Sequence, residues 1–312
     1  MAARNPSFNP AIGVDLGGSK IEAIVLDEHG ATHWRERVAT PAGDYRATLA
    51  AVAALVARAE AELGLANCSV GVGTPGSATD AGLIKNANST CLNGRPLARD
   101  LAEALGRPVR IANDANCLAL SEATDGAAAG ASLSFAVILG TGVGAGIVAN
   151  GRLLEGPNGL AGEWGHVPLP WPEPAERDGP RCYCGRQGCI ETWLSGPALA
   201  RDHVLHGGAA LSAQQIGAHA ARGDGACEAT LRRHESRLAR SLALIINVLD
   251  PQVIVLAGGV SALPGLVDNV SARWGDFVFS AGVVEPVRTR LVRSRHGDSS
   301  GVRGAAWLWR DR

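Results

Sequence analysis

The chain has 312 residues, of which 46% are hydrophobic and 19% are charged, a composition typical of a folded globular protein and not of a disordered one. This length exceeds the size at which a single hydrophobic core usually stops growing, so two domains are predicted. The formal net charge of −1 provides no basic surface, and we predict neither a nucleic-acid partner nor a membrane partner.

The amino terminus and the cysteine count predict a cytoplasmic protein. Residues 1–10 lack the apolar run of a signal peptide. The apolar stretch that comes nearest to spanning a bilayer, residues 242–256, is interrupted by Asp250 and Pro251. Seven cysteines are an odd number in a chain with no secretion signal, so we expect reduced thiols.

The first third of the chain predicts one α/β domain. Three strands in a meander come first, with tight turns between them, at residues 11–15, 20–26 and 31–38. A helix follows over residues 44–63, where leucines and valines share one face and Gly64 lies just past the end. Strands and helices then alternate, at residues 70–74, 96–105, 109–112 and 116–122.

The same layout then begins again. Strands are predicted at residues 134–139, 146–149 and 152–155, with a glycine turn at 140–144, and a long helix at 226–249 precedes a buried strand at 253–257 and a final helix at 300–309. This repetition predicts two related domains that face each other across a cleft. The expected division is a small domain of residues 1–120, completed by the last helix at about 300–312, and a large domain of residues 121–299.

Three glycine turns are candidates for phosphate binding, because backbone N–H groups can grip phosphate oxygens only where no Cβ blocks the approach. They lie at residues 15–20, 140–146 and 257–261. Each turn alone is weak support, since glycines commonly just form hairpins. The second turn fits the relaxed dinucleotide pattern G-x-G-x-x-A, but that pattern requires a following helix, and here a strand follows. A nicotinamide cofactor is therefore disfavoured, and no P-loop sequence is present.

A histidine and three cysteines form a candidate metal site. His166, Cys182, Cys184 and Cys189 have the side chains of a closed tetrahedral zinc site, and they lie close together in the sequence. The alternative is a set of inert cysteines, and a disulfide is disfavoured in the cytosol. The other four cysteines, which are isolated, are expected to be small buried residues: Cys68, Cys91, Cys117 and Cys227.

Asn113 and Asp114 close a predicted strand and open a predicted helix. Either residue could simply cap the helix, since Asn and Asp favour that position. A functional role is compatible with capping, because the carboxyl end of a strand faces the crevice where α/β sheets bind ligands.

Four motifs occurring in family order resemble those of the ROK family of bacterial sugar kinases and sugar-responsive repressors. They are residues 15–20, 139–144, 163–166 and 182–191, and the resemblance covers residues 11–309. It implies the actin/Hsp70-like (ribonuclease H-like) fold, a duplicated two-domain α/β structure with an interdomain cleft. Residues 85–90 and 295–306 resemble bacterial fructokinases, while N-acetylglucosamine kinases share much of the second segment.

The resemblance also implies roles for individual residues. Asp114 would be the catalytic base, and Asp15 would orient magnesium or its waters. The sugar would bind to Asn88, Asn113, Asp114, Glu163, His166 and Glu191, with Ser77 as a weaker candidate. ATP would bind to Gly13, Asp15, Gly17, Gly18, Ser19, Lys20, Gly140, Thr141, Gly142, Val143, Gly144, Gly146, Gly258 and Gly259. A structural Zn²⁺ held by His166, Cys182, Cys184 and Cys189 would tie the loop of Glu163 to the loop of Glu191.

The predicted function is therefore that of an ATP- and Mg²⁺-dependent hexose kinase. D-Fructose is the first choice of substrate and mannose the second, with N-acetylglucosamine kinase or glucokinase as the alternative. A ROK repressor is disfavoured, because only about ten residues precede the first strand, too few for a helix-turn-helix. An actin-like ATPase without a sugar does not explain the motifs at residues 163–166 and 182–191. Family members are often dimers, so the resemblance also implies a homodimer.

Overall fold

A computed structural model describes residues 10–280, 282 and 285–310. The chain forms two compact units. The first unit extends to Ala129 and also contains Gly151–Ala161 and the chain from Ser299 onward, and the second unit contains Gly130–Asn150 and Gly162–Asp298. These limits differ from the expected division at residue 120, because the helix that follows Asn113 continues to Thr124 and residues 151–161 join the first unit.

The strands and helices are numbered along the chain. The strands are β1 (Ala11–Leu16), β2 (Lys20–Leu26), β3 (Thr32–Ala39), β4 (Ser69–Thr74), β5 (Ser77–Ala78), β6 (Ile84–Lys85), β7 (Val109–Asn113), β8 (Leu133–Leu139), β9 (Val143–Ala149), β10 (Arg152–Leu153), β11 (Val253–Ala257) and β12 (Arg290–Arg293). The helices are α1 (Tyr45–Leu63), α2 (Leu97–Leu105), α3 (Asp114–Thr124), α4 (Glu191–Leu194), α5 (Gly196–Leu205), α6 (Ala213–Ala220), α7 (Gly225–Leu249), α8 (Leu266–Ser271) and α9 (Ser300–Trp307).

The first unit is built on a sheet with the strand order β3-β2-β1-β4-β7. The meander of β1, β2 and β3 is antiparallel, as predicted, whereas β1, β4 and β7 are parallel. The carboxyl ends of these three parallel strands therefore lie at one edge of the sheet. Asp15 and Asn113 both lie at that edge, because Asp15 pairs with Gly73 and Asn113 pairs with Thr74.

Helix α1 follows from local sequence signals. The side chain of Asp44 accepts a hydrogen bond of 2.9 Å from the N–H of Ala47, which satisfies one free donor of the first turn. Gly64 ends the helix with a φ of 63°, a conformation that glycine adopts without steric cost. Val52 and Leu55 are fully buried on the face that packs on the sheet.

Helix α9 packs directly on the backbone of the first unit. A Cβ added at Gly13 in β1 would collide with the carbonyl oxygen of Val302, and one added at Gly304 would collide with the backbone of Cys117 in α3. Gly71 in β4 faces the helix backbone in the same way. Only glycine permits this close approach, so these residues hold the last helix of the chain in the first unit.

The second unit repeats the central layout of the first. Strands β9, β8, β11 and β12 are neighbours in that order, as β2, β1, β4 and β7 are in the first unit. Strands β8 and β9 are antiparallel, while β8, β11 and β12 are parallel. The predicted duplication is therefore present in the strand order and orientation. The buried face of α7, with Leu238 and Leu242, belongs to the same core as Ile254 and Leu256 of β11.

Among residues 10–280, 282 and 285–310, no helix combines the length and the apolar character that crossing a membrane requires.

Candidate active site and metal cluster

The edge of the first sheet brings Asn113 and Asp114 to the start of α3. The side chain of Asn113 caps the helix, because it accepts a hydrogen bond of 2.7 Å from the N–H of Asn116. Asp114 is the first helical residue, and its Oδ1 accepts a hydrogen bond of 2.8 Å from the N–H of Ala115. The capping interpretation of Asn113 is thus confirmed, and Asp114 keeps its second carboxylate oxygen for other partners.

A cavity of about 440 Å³ opens at this edge. Five residues predicted from the sequence line it, namely Asp15, Gly17, Gly18, Asn88 and Asp114. The lining also contains polar residues that the sequence interpretation did not select: Thr40, Ser89, Thr90 and Cys91. Hydroxyl groups carry no motif of their own, and only the fold shows that they surround the carboxylates.

The two carboxyl groups of the cavity are poorly solvated and close enough to repel each other. Burial first, and then the negative charges of Asp114 and Glu22, raise the pKa of Asp15 to about 6. Burial also raises the pKa of Asp114, although the N–H of Ala115 opposes that shift. Asp114 nevertheless presents surface to the cavity. A bound cation would relieve the repulsion between the two groups.

The turn at Gly17 and Gly18 is held by backbone contacts that leave its outer side open. The N–H of Gly17 donates to the carbonyl oxygen of Lys20 at 3.0 Å, and the hydroxyl of Thr40 donates to the carbonyl oxygen of Gly17 at 2.8 Å. Gly18, Ser19 and Lys20 are exposed. An incoming phosphate can therefore reach this turn.

Two glycines predicted to bind nucleotide lie inside strands. Gly13 is in the middle of β1, where it is buried and packs against the backbone of α9. Gly146 is buried within β9, opposite Ala136. Gly13 therefore packs against the last helix, and nucleotide binding by Gly13 and Gly146 stays a prediction.

The glycine turn of the second unit is a hairpin. Residues 140–142 connect β8 to the antiparallel strand β9, so the helix required for dinucleotide binding is absent from this segment. Thr141 is exposed, and Gly144 lies in β9 opposite Ile138. Gly258 and Gly259 follow β11, which runs parallel to β8, so both glycine turns lie at the same edge of the second sheet.

Glu191 is bound to this hairpin. Its Oε2 accepts a hydrogen bond of 3.0 Å from the N–H of Val143, and Gly142 leaves the space in which the carboxylate lies. The second carboxylate oxygen is then the one that can meet a substrate. The sequence could not show this contact, since 48 residues separate its two partners.

Residues 163–166 pack on the same hairpin. Trp164 is buried against Phe135, with ring centroids 5.6 Å apart and the planes nearly perpendicular. Gly165 lies so close to Val143 that a Cβ would collide with its carbonyl oxygen. This packing fixes the two flanking residues, of which Glu163 is exposed and His166 partly buried.

His166 and the three clustered cysteines come together as predicted. The Nδ1 of His166 lies 3.5 Å from the Sγ of Cys182, and the Sγ atoms of Cys184 and Cys189 lie 3.6 Å apart. All four ligand atoms are within 4.8 Å of one another. One imidazole and three sulfurs are the donors that tetrahedral Zn²⁺ prefers, so the residues fit this metal.

Tyr183 is a neighbour that the sequence interpretation missed. Its hydroxyl lies 3.0 Å from the Nε2 of His166, the ring nitrogen that faces away from Cys182. The Tyr183 side chain is 78% exposed and can move aside at little cost. His166 can therefore hold a metal through one nitrogen and meet a substrate through the other.

A second cavity in the first unit, of about 210 Å³, lies on the Asn113 side of the same strand end. Ser77, Asn113 and Asn116 line it, together with Thr79, Asp80 and Glu155. The predicted residue Ser77 is thus beside Asn113, and its neighbours had no motif that could have identified them.

Comparisons with known proteins agree with these observations. The model of the ROK family matches residues 11–312. The N-acetyl-D-glucosamine kinase of Escherichia coli O127:H6 is 40% identical over 303 residues, which cover 95% of this chain and 98% of that protein. A similar kinase of Shigella flexneri shows the same identity and coverage.

Solved structures show the same fold. The crystal structure of the ROK hexokinase from Thermus thermophilus has a TM-score of 0.83 and 34% identity, covering 95% of this chain and 96% of that chain. The ROK family glucokinase from Streptomyces griseus, solved with glucose and AMPPNP, has a TM-score of 0.75 and 30% identity, with 96% and 98% covered. The fold is therefore the actin/Hsp70-like two-domain α/β fold of these kinases, and the chain belongs to the ROK family, among its sugar kinases.

Proposed function

We propose that this protein is an ATP-dependent kinase that phosphorylates N-acetyl-D-glucosamine, with glucose as the second substrate to consider. The observation that carries the kinase assignment is Asp114, a carboxylate at the carboxyl end of β7 that lines the larger cavity beside the Gly17–Gly18 turn. Transfer of a phosphoryl group to a hydroxyl needs little more from the protein than such a base, a phosphate-binding loop and groups that position the two substrates.

In this proposal Asp114 accepts the proton of the sugar hydroxyl as that oxygen attacks the γ-phosphorus. The N–H of Ala115 holds Oδ1 at 2.8 Å, which leaves Oδ2 to face the hydroxyl. Burial raises the pKa of Asp114, so its ionised form is a stronger base than a fully solvated carboxylate. The same shift requires a pH above the raised pKa for activity.

Asp15 is the residue that would hold Mg²⁺ or its bound waters. Its carboxylate lies beside that of Asp114 in a poorly solvated cavity, which favours a bound cation. When bound, Mg²⁺ neutralises charge on the ATP phosphates. The backbone of Gly17 and Gly18, with the exposed Lys20, would bind phosphates, and the turns at residues 140–142 and 258–259 are also proposed to bind ATP.

The groups proposed to bind the sugar lie in several segments of the chain. Asn88, Asn113 and Asp114 belong to the first unit, and Glu163, His166 and Glu191 belong to the second. Amide, carboxylate and imidazole groups can each accept or donate hydrogen bonds to the ring hydroxyls, and such fixed polar contacts set the orientation of a sugar. Zn²⁺ at Cys182, Cys184, Cys189 and His166 would lock the segment that carries Glu163 to the segment that carries Glu191.

The choice of N-acetylglucosamine rests on the relatives and on the space beside Asn113. A protein 40% identical over nearly its full length is an N-acetyl-D-glucosamine kinase, and a 30% identical structure is a glucokinase bound to glucose. These relatives support the alternative of the sequence interpretation better than fructose, its first choice. The cavity of about 210 Å³ beside Asn113 is lined in part by the side-chain amides of Asn113 and Asn116, which could form hydrogen bonds with an acetamido group.

Release of ADP in the presence of a panel of sugars tests this proposal. N-Acetylglucosamine, glucose, mannose and fructose are compared by kcat/KM with Mg-ATP, and we expect N-acetylglucosamine to give the highest value. A higher value for another hexose would replace the substrate and leave the kinase assignment intact. The kinase assignment itself fails if no sugar raises ADP release above the rate with ATP alone.

The implied homodimer also stays a proposal, which analytical ultracentrifugation of the full chain can test.

A further inference from the structure

A second group of metal-binding side chains lies between α6 and α7, and the proposed kinase site does not use it. His219, Asp224 and Cys227 each offer one ligand atom, and these atoms all lie within 4.8 Å of one another. Nitrogen, oxygen and sulfur donors together suit a borderline transition metal rather than Mg²⁺ or Ca²⁺, which prefer oxygen alone. From the sequence, Cys227 was expected to be merely a buried small residue.

A second histidine faces the buried sulfur of this group. The Nε2 of His203 lies 3.8 Å from the Sγ of Cys227. The hydroxyl of Thr230 donates its only hydrogen to the carbonyl oxygen of Ala226 at 3.0 Å. Its oxygen must therefore accept from the Nδ1–H of His203, which is 2.9 Å away. This arrangement leaves Nε2 as a bare acceptor directed at the sulfur, and metal-binding histidines are oriented by such a partner on the other nitrogen.

Asp224 is oriented in a similar way. Its Oδ1 accepts hydrogen bonds of 3.0 Å from the N–H groups of Ala226 and Cys227, so it caps α7. Its Oδ2 lies 3.8 Å from the Nδ1 of His219. The carboxylate is thus fixed by one oxygen and offers the other to the group.

Burial divides the donors into an inner pair and an outer pair. His203 is 2% exposed and Cys227 is fully buried, whereas the side chains of His219 and Asp224 are 40% and 42% exposed. An ion can therefore reach the inner pair from the solvent side, between His219 and Asp224. Gly208 makes the inner position possible, because any Cβ there would overlap the ring of His203.

We propose that His203, His219, Asp224 and Cys227 form a second site for a divalent transition metal of the Zn²⁺ class. Tetrahedral bond lengths place neighbouring donors about 3.3–3.8 Å apart, so His219, Asp224 and Cys227 need only move by roughly 1 Å to close around an ion, and His203 would join them through its approach to Cys227. The four residues come from α5, α6 and the first turn of α7, so a bound ion would join three helices of the second unit.

Titration with Co²⁺ tests the proposal, because thiolate-bound tetrahedral Co²⁺ has an intense charge-transfer absorption and visible bands. Full-length protein is freed of metal, kept reduced with a reductant that does not chelate, and titrated beside variants. We expect His219→Ala and Cys227→Ser each to bind one equivalent fewer than the wild-type protein, or to bind that equivalent at least tenfold more weakly. Cys68→Ser and His206→Ala, which alter a cysteine and a histidine outside the group, serve as controls and should match the wild type.

The difference between wild type and variant does not depend on whether the cluster at residues 166–189 holds metal, so failure of this proposal is separable from failure of the zinc assignment made above. His219→Ala removes a surface side chain and should fold even where Cys227→Ser does not. The proposal is overturned if His219→Ala binds Co²⁺ with the wild-type number of equivalents and the wild-type affinity. Its four residues would then form only a hydrogen-bonded helix junction.

Discussion

Asp15 lies near the end of β1 and Asp114 follows β7, two strands separated by β4 at the same edge of the sheet, and each residue resembles an ordinary turn or capping residue when viewed in the sequence alone. Helix capping is performed by Asn113, whose side chain accepts the N–H of Asn116. Asp114 is therefore not needed as the cap, although it lies at the start of the helix and lines the cavity. Because Asn113 caps the helix, Asp114 can be replaced without removing the cap.

Replacement of Asp114 by Asn should remove the general base and leave the fold intact. We expect kcat to fall by about 10²–10⁴, the usual contribution of a positioned base. Steady-state kinetics with the best sugar, together with a circular dichroism melting curve, measure both parts. Asp268→Asn, an exposed acid on α8, is the matched control and should keep its activity. Near-normal turnover in Asp114→Asn would show that another group takes the proton.

Asp15 should make stability depend on pH. Burial first, and then the charges of Asp114 and Glu22, raise its pKa from 3.8 to about 6, so the folded protein binds a proton more tightly than the unfolded chain does. The ionised carboxylate therefore destabilises the fold above about pH 6, and this cost fades as the pH falls from 6 towards 4. Asp15→Asn should raise the free energy of unfolding by about 1–3 kcal/mol near neutral pH and by less at pH 5.

Urea denaturation without added Mg²⁺ at two pH values measures this effect, since a bound cation would also relieve the repulsion. Asp268→Asn should show no such pH-dependent gain. An equal gain for Asp15→Asn at both pH values would mean that Asp15 is not the group whose protonation changes between them.

At the scale of elements, a buried ionic network holds the segment before the cysteines against α5 and α7. Glu176 forms ion pairs of 2.7 Å with Arg237 and 2.8 Å with Arg240, and Arg237 also pairs with Asp202 of α5 at 2.8 Å. Burial would raise the pKa of Glu176, but hydrogen bonds from Arg240 and Arg237 lower it overall. Arg237 also stacks on Trp193 of α4 at 4.6 Å. The network thus reaches the helix that begins at Glu191.

Glu176→Gln should destabilise the second unit strongly, because it leaves two buried arginines with too little negative charge. We expect a loss of about 3–5 kcal/mol in the free energy of unfolding, measured by chemical denaturation. The control is Glu228→Gln, whose partner Arg232 lies 3.5 Å away in an exposed pair, and it should cost under about 1 kcal/mol. Equal losses in the two variants would refute the special role of the buried network.

Removal of metal from the cysteine cluster should weaken sugar binding as well as stability. The cluster joins His166 to Cys189, which is two residues before Glu191, so an empty or broken cluster would release two of the proposed sugar-binding segments. We expect Cys184→Ser or chelation to lower sugar affinity roughly tenfold. Mutations that disturb the surroundings of a bound metal commonly cost about 10- to 100-fold in metal affinity or activity. Isothermal titration calorimetry with the preferred sugar measures the affinity, and a melting curve measures stability. Cys68→Ser is the control. Normal sugar affinity in the zinc-free protein would contradict the proposal that the metal holds the segments of Glu163 and Glu191 together.

At the scale of the whole molecule, the chain returns to its first unit at the end. Helix α9 packs on β1, β4 and α3, and its close approach depends on glycine. The carboxyl-terminal residues therefore complete a unit whose last sheet strand ends at Asn113.

Gly304→Ala should disturb this junction, because the new Cβ would overlap the backbone of Cys117 and backbone cannot rotate away. We expect a loss of about 1–3 kcal/mol or more in stability by overpacking, measured by thermal or chemical denaturation. Gly225→Ala, where a new Cβ meets no atom within 4 Å, should be neutral or slightly stabilising. A neutral Gly304→Ala would mean that α9 can shift outward without loss of packing.

Local patterns in the sequence were enough to predict many elements within a residue or two. Strand β2 and strand β11 begin and end where they were predicted, and α1 lies within one residue of the predicted helix 44–63 that Gly64 follows. Caps, alternation and glycine turns act over a few residues, so their signals are present in short stretches of sequence. The cysteine cluster was evident from its side-chain types and spacing, and the family resemblance added the catalytic role proposed for Asp114.

Contacts between distant segments were decided only by the tertiary structure. Helices α5, α6 and α8 and strand β12 were not predicted, and neither was the packing of Gly13 against the backbone of α9. The bond from Val143 to Glu191 and the approach of His203 to Cys227 join residues 48 and 24 positions apart. A single sequence records which side chains are available, but which of them meet depends on how the helices and sheets pack.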